Sequence, residues 1–485
     1  MKKLIIILLI LSLFCFASCN EEGEVTAPET ELTTTEAETS AEAETAEETA
    51  PTEPGLYIAG NDISNYTIIH DGTKAAADLA SDLKLMIYNA CGCRVNVKKH
   101  TSGLNQFEIL VGKTNRAESK EVRSAYSRPN VYYDVKVVDK KLVIMGEGRT
   151  TLANLTPELK ALIESGANAA VEFSNSPISG NILDQADKNS MLERAEGTSL
   201  RVFHWNFAAP YLDPNVTAGP VVYKDNVTRG EDMADMILQF LPDIITTNEF
   251  YASHNGNTTF FDAVMSQLGE YYVCLDSPYD KGKPEAGADA IKNKTINSNI
   301  IYRKDIGLEV IASAWRYSTQ KTNTSDSNPM GFIYYHGSHT AVFSYNGTKF
   351  ILSTAHYADS RSSNQWAKEQ LAAIADAKAA HGNDLPVILT GDLYTGYTQS
   401  SSSSGYKYLV AQGYKDAQRT ALVNANQNTS HGTFHNIGER QTNRISEDFV
   451  WYTDGIGALC FKVVANKVSD DASDHYPVMA DLNFN

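Results

Sequence analysis

Between residues 199 and 485 one pattern recurs: a short, strand-forming apolar run that ends on a polar residue. Leu200 to Phe203 runs into Asn206, and Pro242-Asp243-Ile244-Ile245 runs into Glu249. Phe350-Ile351-Leu352-Ser353-Thr354-Ala355 runs into His356, and Pro386-Val387-Ile388-Leu389-Thr390-Gly391 runs into Asp392. Asp448 directly precedes Phe449 to Trp451, and Ser473-Asp474-His475-Tyr476-Pro477 precedes a final strand, Val478 to Leu482. Runs of this length and composition read as buried strands rather than helices. Buried strands that deliver Asn, Glu, His and Asp to their ends predict one polar cluster at a sheet edge. Two amphipathic patterns, Gly230 to Leu241 and Asn364 to His381, supply helices to cover the sheets.

The chain is long enough for this and more. Its 485 residues, 42% hydrophobic and 21% charged, fit a globular protein of several domains. Collagen-like, fully disordered and polytopic membrane chains are excluded by that composition. The net charge is −18, but residues 20–55 alone hold twelve glutamates and no Lys, Arg or Asp. Most of the acidity therefore sits in one short segment. No segment is strongly basic, so tight binding of long nucleic acid through many phosphates is disfavoured.

The N-terminus reads Met1-Lys2-Lys3, then an apolar run from Leu4 to Phe16, then Ala17-Ser18-Cys19. This is the order of a secretory signal, too short for a membrane span of about 20 residues. Phe16-Ala17-Ser18-Cys19 resembles a bacterial lipobox, in which the cysteine carries the lipid. Residues 1–19 are thus expected to be a lipoprotein signal, with an exported product anchored to the membrane surface through Cys19. Residues 20–55, rich in Thr, Glu and Ala, cannot bury enough surface to order themselves and are expected to form a tether. The other cysteines of the mature chain, Cys91, Cys93, Cys274 and Cys460, are too few for a disulfide framework.

Residues 56–185 alternate strand and helix patterns and hold no concentration of catalytic residue types. Strands are expected at Leu56 to Ala59, Tyr66 to Ile69 and Phe107 to Val111. Tyr132 to Val138 and Leu142 to Met145 read as a hairpin around Asp139-Lys140-Lys141. Helices are expected at Ala75 to Ala90 and Leu155 to Ile163. The stretches Ile63-Ser64-Asn65-Tyr66-Thr67-Ile68 and Glu108-Ile109-Leu110-Val111-Gly112-Lys113-Thr114-Asn115-Arg116 resemble an accessory domain that precedes glycoside hydrolase modules. That likeness fixes no reaction, and no catalytic carboxylate pair is evident there.

The motifs of residues 199–485 resemble the endonuclease/exonuclease/phosphatase (DNase I-like) superfamily. Ser473-Asp474-His475-Tyr476-Pro477 is the strongest of them. Thr390-Gly391-Asp392, Thr354-Ala355-His356 and Pro242-Asp243-Ile244-Ile245 leading to Glu249 stand in family order with it. The resemblance implies a four-layer α/β/β/α sandwich with a site at one end of two packed sheets. It implies a phosphoesterase, a phosphodiesterase or phosphatase before a nuclease, that uses magnesium or manganese. Glu249, Asn206 and Asp474 would lie at the metal. His475 would take a proton from water, and Asp448 would orient its ring. His356 would act as general acid or phosphate contact, and Asp392 would position the nucleophile or the metal. Such chemistry suits these residue types. A hard cation binds few carboxylates and keeps its waters, and imidazole titrates near neutral pH.

Three departures qualify the resemblance. The family's Gly-Asp-x-Asn is Gly391-Asp392-Leu393-Tyr394 here, so Tyr394 stands in place of an amide donor. The family's Arg-Ile-Asp-Tyr run is stretched to Arg444-Ile445-Ser446-Glu447-Asp448-Phe449, leaving a choice between Asp448 and Glu447. No carboxylate partner for His356 is evident near Asn297-Ser298-Asn299. His339, at the entry of its strand, is considered as a substrate contact, whereas His431 and His435 read as structural. A second function class, a surface-displayed binding protein on a catalytically degraded scaffold, rests on Tyr394 and on the weakly supported His356.

Overall fold

The computed structural model describes residues 51–175, 178–184, 190–208, 225–250, 258–275, 298–317, 337–357, 363–394, 404–426, 432–434 and 446–485. Cys19, most of the acidic segment, His431 and His435 lie outside the described residues, as do Arg444 and Ile445. Two sheets carry the C-terminal region. The first has seven strands in the order Tyr272–Cys274, Asn299–Arg303, Ile244–Asn248, Leu200–Asn206, Val478–Phe484, Ile456–Val463, Val423–Asn424. The second has six, in the order Glu309–Tyr317, Gly337–Tyr345, Thr348–His356, Val387–Asp392, Asp448–Tyr452, Lys415–Asp416.

Side chains of a strand alternate between its two faces, and both faces here are apolar. Leu200, Val202, Ile244, Val478 and Ala480 of the first sheet meet Phe343, Phe350, Leu352, Ile388 and Val450 of the second in one buried cluster. The intervening positions point outward. Phe203, Trp205, Ile245 and Met479 pack under the helices Asn226–Phe240 and Thr259–Leu268. Ile351, Val387, Leu389, Phe449 and Trp451 pack under Ser363–His381 and Gly405–Ala411. The result is helix, sheet, sheet, helix: the four-layer sandwich that the strand pattern and the resemblance led to expect.

The N-terminal region is a smaller α/β layer. A six-stranded sheet has the order Asn96–Lys99, Thr67–His70, Glu108–Val111, Lys141–Gly146, Tyr132–Val138, Ile178–Asn181. The helices Lys74–Cys91 and Arg149–Ser165 bury Leu79, Leu83, Leu155 and Leu159 against it. The expected hairpin is present, with Tyr132–Val138 antiparallel to Lys141–Gly146 and Asp139 at φ 53° in the turn. The strands Asn96–Lys99 and Ile178–Asn181 and the helix Ala117–Ser124 lack a clear apolar period and were not expected from the sequence.

Both regions fall in one compact unit that spans Ala50–Asn485. One helix of the sandwich, Asn226–Phe240, joins them. Glu231 accepts the Lys74 N–H at 2.8 and 3.1 Å. Asp235 accepts the Thr150 N–H at 3.1 Å and hydroxyl at 3.0 Å, and the Asn130 amide at 2.8 Å. Each carboxylate thus satisfies open N–H groups in the first turn of an N-terminal helix, where a negative charge is favoured. Asp232 adds an ion pair with Arg149 at 2.7 Å.

Candidate active site

The inter-sheet face changes character along its strands. At one end it is Leu200 and Val202, Ile244, Phe350 and Leu352, Ile388, and Val450. At the other end the same faces carry His204 and Asn206, Thr246 and Asn248, Thr354 and His356, Thr390 and Asp392, and Asp448, all buried. Register brings them together. Leu200–Asn206 pairs in parallel with Ile244–Asn248, and Thr348–His356 with Val387–Asp392, setting His356 beside Asp392. Asp392 faces Asp448 across an antiparallel pair. The Asn248 side-chain Oδ1 accepts the Asp392 N–H at 2.7 Å, and the Asn206 amide donates to Asp392 at 3.0 Å, tying one sheet to the other.

The loop Ser473-Asp474-His475 enters this end of the sandwich. The Ser473 hydroxyl donates to the Asn206 carbonyl at 2.6 Å and accepts the His475 N–H at 3.1 Å. The Trp205 indole donates to the His475 carbonyl at 2.7 Å. His475 Nδ1 lies 2.7 Å from Asp448 Oδ2, which turns Nε2 toward Asp392, 3.6 Å away, and Asp474, 4.0 Å away. The Phe434 ring meets the imidazole edge-on at 5.2 Å. Asp448 is itself held: its N–H and that of Glu447 both donate to the Thr433 hydroxyl.

Glu249 follows its strand in the left-handed region, at φ 54°, and Tyr394 follows Asp392 at φ 47°. Such backbone is costly for these residues and persists where surrounding structure imposes it. Gly391 is needed for a different reason. A Cβ there would stand 2.0 Å from the Ala355 carbonyl oxygen of the neighbouring strand. His356 Nε2 lies 3.4 Å from Asp392 and 3.8 Å from Glu249. These two carboxylates are the partners that the sequence near Asn299 did not reveal. The Tyr394 ring stacks on His356 at 5.9 Å.

Among the described residues, the cations set against these carboxylates are the His475 imidazolium and, coupled to Asp474 and Glu249, the Arg229 guanidinium. Glu249 Oε2, Asp392 Oδ1 and Asp474 Oδ1 are buried without a hydrogen-bond partner among the described residues. Burial and the neighbouring Asp474 push Glu249 up to about 8. Burial raises Asp392 to about 7, and burial with Asp392 raises Glu447 to about 8. His475 is pushed the other way from a buried imidazole. Asp448 and Asp392 overcome its desolvation and hold it protonated well above the usual range. His356 is held neutral by burial, down to about 3. The guanidinium of Arg229, coupled to the cluster, is fully buried, lies 4.0 Å over the Phe260 ring and donates to the Ala472 carbonyl. Its desolvation lowers it to about 9.

Orphaned, mutually raised carboxylate oxygens fit a divalent cation with oxygen ligands. Asp392, Glu447 and His475 offer ligand atoms within 4.8 Å of one another. Glu249 and Asp474 face the same cluster, and Asn206 donates to Asp392 and to Glu249, the latter at 3.5 Å.

All eight candidate residues within the described part of the chain, Asn206, Glu249, His356, Asp392, Tyr394, Asp448, Asp474 and His475, stand at this one end of the sandwich. Asp448 and Glu447 both belong to it, Asp448 on His475 and Glu447 beside Asp392. His339 is fully buried, bonded to Ser313 at 2.9 Å and stacked on Trp315, so it packs its own sheet rather than meeting a substrate. His204, Asn248 and Arg229 were missed. The period of two would have found the first, since His204 shares a face with Asn206. Arg229 gives no sequence signal beyond its place near a helix start.

No protein-family model matches the chain, and no curated protein matches it. Solved structures do. An endonuclease/exonuclease/phosphatase from Bacteroides vulgatus is similar over 59% of this chain and 99% of its own, at 20% identity and a TM-score of 0.43. A family protein from Bacteroides thetaiotaomicron is similar over 60% and 100%, at 19% identity and a TM-score of 0.44. A mannosyl-6-phosphatase from the same organism is similar over 59% and 100%, at 18% identity and a TM-score of 0.41. Over about three fifths of its length, the solved structures this chain is similar to include several endonuclease/exonuclease/phosphatase proteins.

Proposed function

We propose that the protein is a divalent-metal-dependent phosphoesterase, exported and held at the bacterial membrane surface by a lipid on Cys19. The observation that carries the reading is the pairing of unmatched buried carboxylates with an imidazole fixed by Asp448. Glu249, Asp474 and Asn206 would hold magnesium or manganese, with Asp392 and Glu447 beside His475. When bound, such a cation neutralises phosphate oxygens and favours departure of the leaving group.

The protein's own part is positioning and proton transfer. Asp448 holds Nδ1 of His475, so Nε2 faces the cluster and takes the proton from an attacking water. The carboxylates keep that imidazole protonated until their charge is neutralised. His356, neutral and beside Asp392 and Glu249, can offer an N–H to a phosphate oxygen or leaving group without adding charge. Tyr394 keeps the ring of His356 in place by stacking.

Purified protein with added magnesium or manganese is to be screened against aryl phosphodiesters, phosphomonoesters, inositol phosphates, phospholipids and nucleic acids. Hydrolysis that vanishes with chelator and returns with metal is expected. Metal binding without turnover of any of these esters would instead support the binding-protein reading that Tyr394 suggests. Separately, Cys19→Ala should release the protein from the membrane fraction or block its processing. Unchanged membrane partitioning of a normally processed variant would remove the anchor from the proposal.

A further inference from the structure

We infer that His204 is a positioning residue of this site, completing a Thr246–His204–Asp448–His475 chain of hydrogen bonds. The inference deepens the phosphoesterase reading and, for its kinetic part, rests on it. His204 is fully buried on the inter-sheet face, two residues before Asn206 on the same strand. Its Nδ1 lies 3.0 Å from the Thr246 hydroxyl, on the neighbouring parallel strand at the paired register position. Its Nε2 lies 3.2 Å from Asp448 Oδ1. Neither Nε2 nor Oδ1 has a hydrogen-bond partner among the described residues, and at 3.2 Å each is the other's available partner.

The chemistry follows from what each atom can do. Asp448 is ionised and spends Oδ2 on His475 at 2.7 Å. A buried, bare Oδ1 is costly, and a donor there is favoured. His204 supplies one in its Nε2–H form, and the Thr246 hydroxyl donates to the Nδ1 that this form leaves bare. The partner of one ring nitrogen thus sets the tautomer of the other. With both oxygens bound, the Asp448 carboxylate cannot rotate away from His475, and the base keeps its aim at the cluster. His204 touches no reacting atom. It acts through Asp448.

The test is a ¹⁵N-histidine NMR spectrum of the resting protein, with the His204 ring assigned by its loss in His204→Gln. A proton on Nε2 is expected. A bare Nε2 with the proton on Nδ1 overturns the inference whether or not the protein proves to be an enzyme. Thr246→Val, which removes the hydroxyl and keeps the shape, should shift that ring toward the Nδ1–H form. An unchanged ring would remove Thr246 from the chain. For turnover of a phosphoester with added magnesium, His204→Phe should lower kcat by about 10- to 100-fold, as loss of an outer-shell partner does. KM should stay nearly unchanged, and His204→Gln, which restores an N–H donor, should recover most of the loss. Full kcat in a folded His204→Phe protein, or no rescue by Gln, overturns the positioning role. If wild type hydrolyses no ester, the functional reading fails while the tautomer still decides the hydrogen-bond chain.

Discussion

Glu108 in the N-terminal layer and Glu249 in the sandwich are both carboxylates taken out of water, yet they are treated in opposite ways. Arg116 holds Glu108 through two bonds of 3.0 Å, Lys141 adds an ion pair at 3.1 Å and the Asn105 N–H a bond at 3.1 Å. Its charge is matched, and these partners hold its carboxyl below the ordinary value despite burial. Glu249 has a long amide contact, carboxylate neighbours and an orphaned oxygen, and is raised to about 8. A buried charge that serves only the fold is paired within the chain. One left unpaired among its own kind marks a place where something else supplies the counter-charge.

The sharpest break of that comparison is on the base beside Glu249. His475→Ala should cut turnover by about 100- to 10000-fold while the protein still binds manganese in a calorimeter. Full turnover by that variant would end the mechanism. Next come the two glutamates themselves. Glu108→Gln leaves Arg116 without its carboxylate and Lys141 with Glu118 alone, and breaking such a buried pair should cost about 3–5 kcal/mol in denaturant unfolding. Glu249→Gln should leave metal-free stability unchanged or raised, because Glu249 already holds its proton below about pH 8 and the amide replaces a neutral carboxyl of the same shape. It should also shrink the gain in Tm on adding magnesium and raise the metal concentration needed for turnover. Equal destabilisation by both substitutions would erase the distinction.

A smaller effect sharpens the same point through pH. Glu249, Glu447 and Asp392 hold their protons in the folded metal-free protein to about 8, 8 and 7, well above unfolded carboxylates. The folded state therefore binds more protons than the unfolded one over that range, and stability falls as pH rises through it. The raised His475 acts in the same direction above its ordinary value. His356, lowered to about 3, acts in the opposite direction and only below about 6.5. Between about pH 6.5 and 8, metal-free Tm should thus decline, and the increment from magnesium should grow. A flat increment across that window would contradict an unmatched cluster. Smallest is Tyr394→Phe. It keeps the stack on His356 and removes only the hydroxyl, so the loss in kcat should stay below the roughly 100-fold that removing a preorganised donor costs. A larger loss would assign the hydroxyl itself to the phosphoryl group.

The sequence by itself determined the sandwich and most of its polar end. Apolar runs of strand length fix buried strands. The period of two then decides which residues share a face, and motif order placed Asn206, Glu249, His356, Asp392 and His475 at strand ends. Those are local facts, carried by a few adjacent residues. Tertiary structure decided the pairings. Glu447 and Asp448 are neighbours in one strand's approach, and only the loop of His475 shows that Asp448 takes its Nδ1. His356 finds its carboxylates at the ends of two other strands, and His204 its partner on the opposite sheet. His339 packs on Trp315 and Ser313 within its own sheet, contacts that its place at a strand entry does not show. Such contacts join residues up to hundreds of positions apart, so no local pattern encodes them. They exist because two sheets must close on a shared apolar face, and closing one end leaves the polar residues of the other end with only each other to meet.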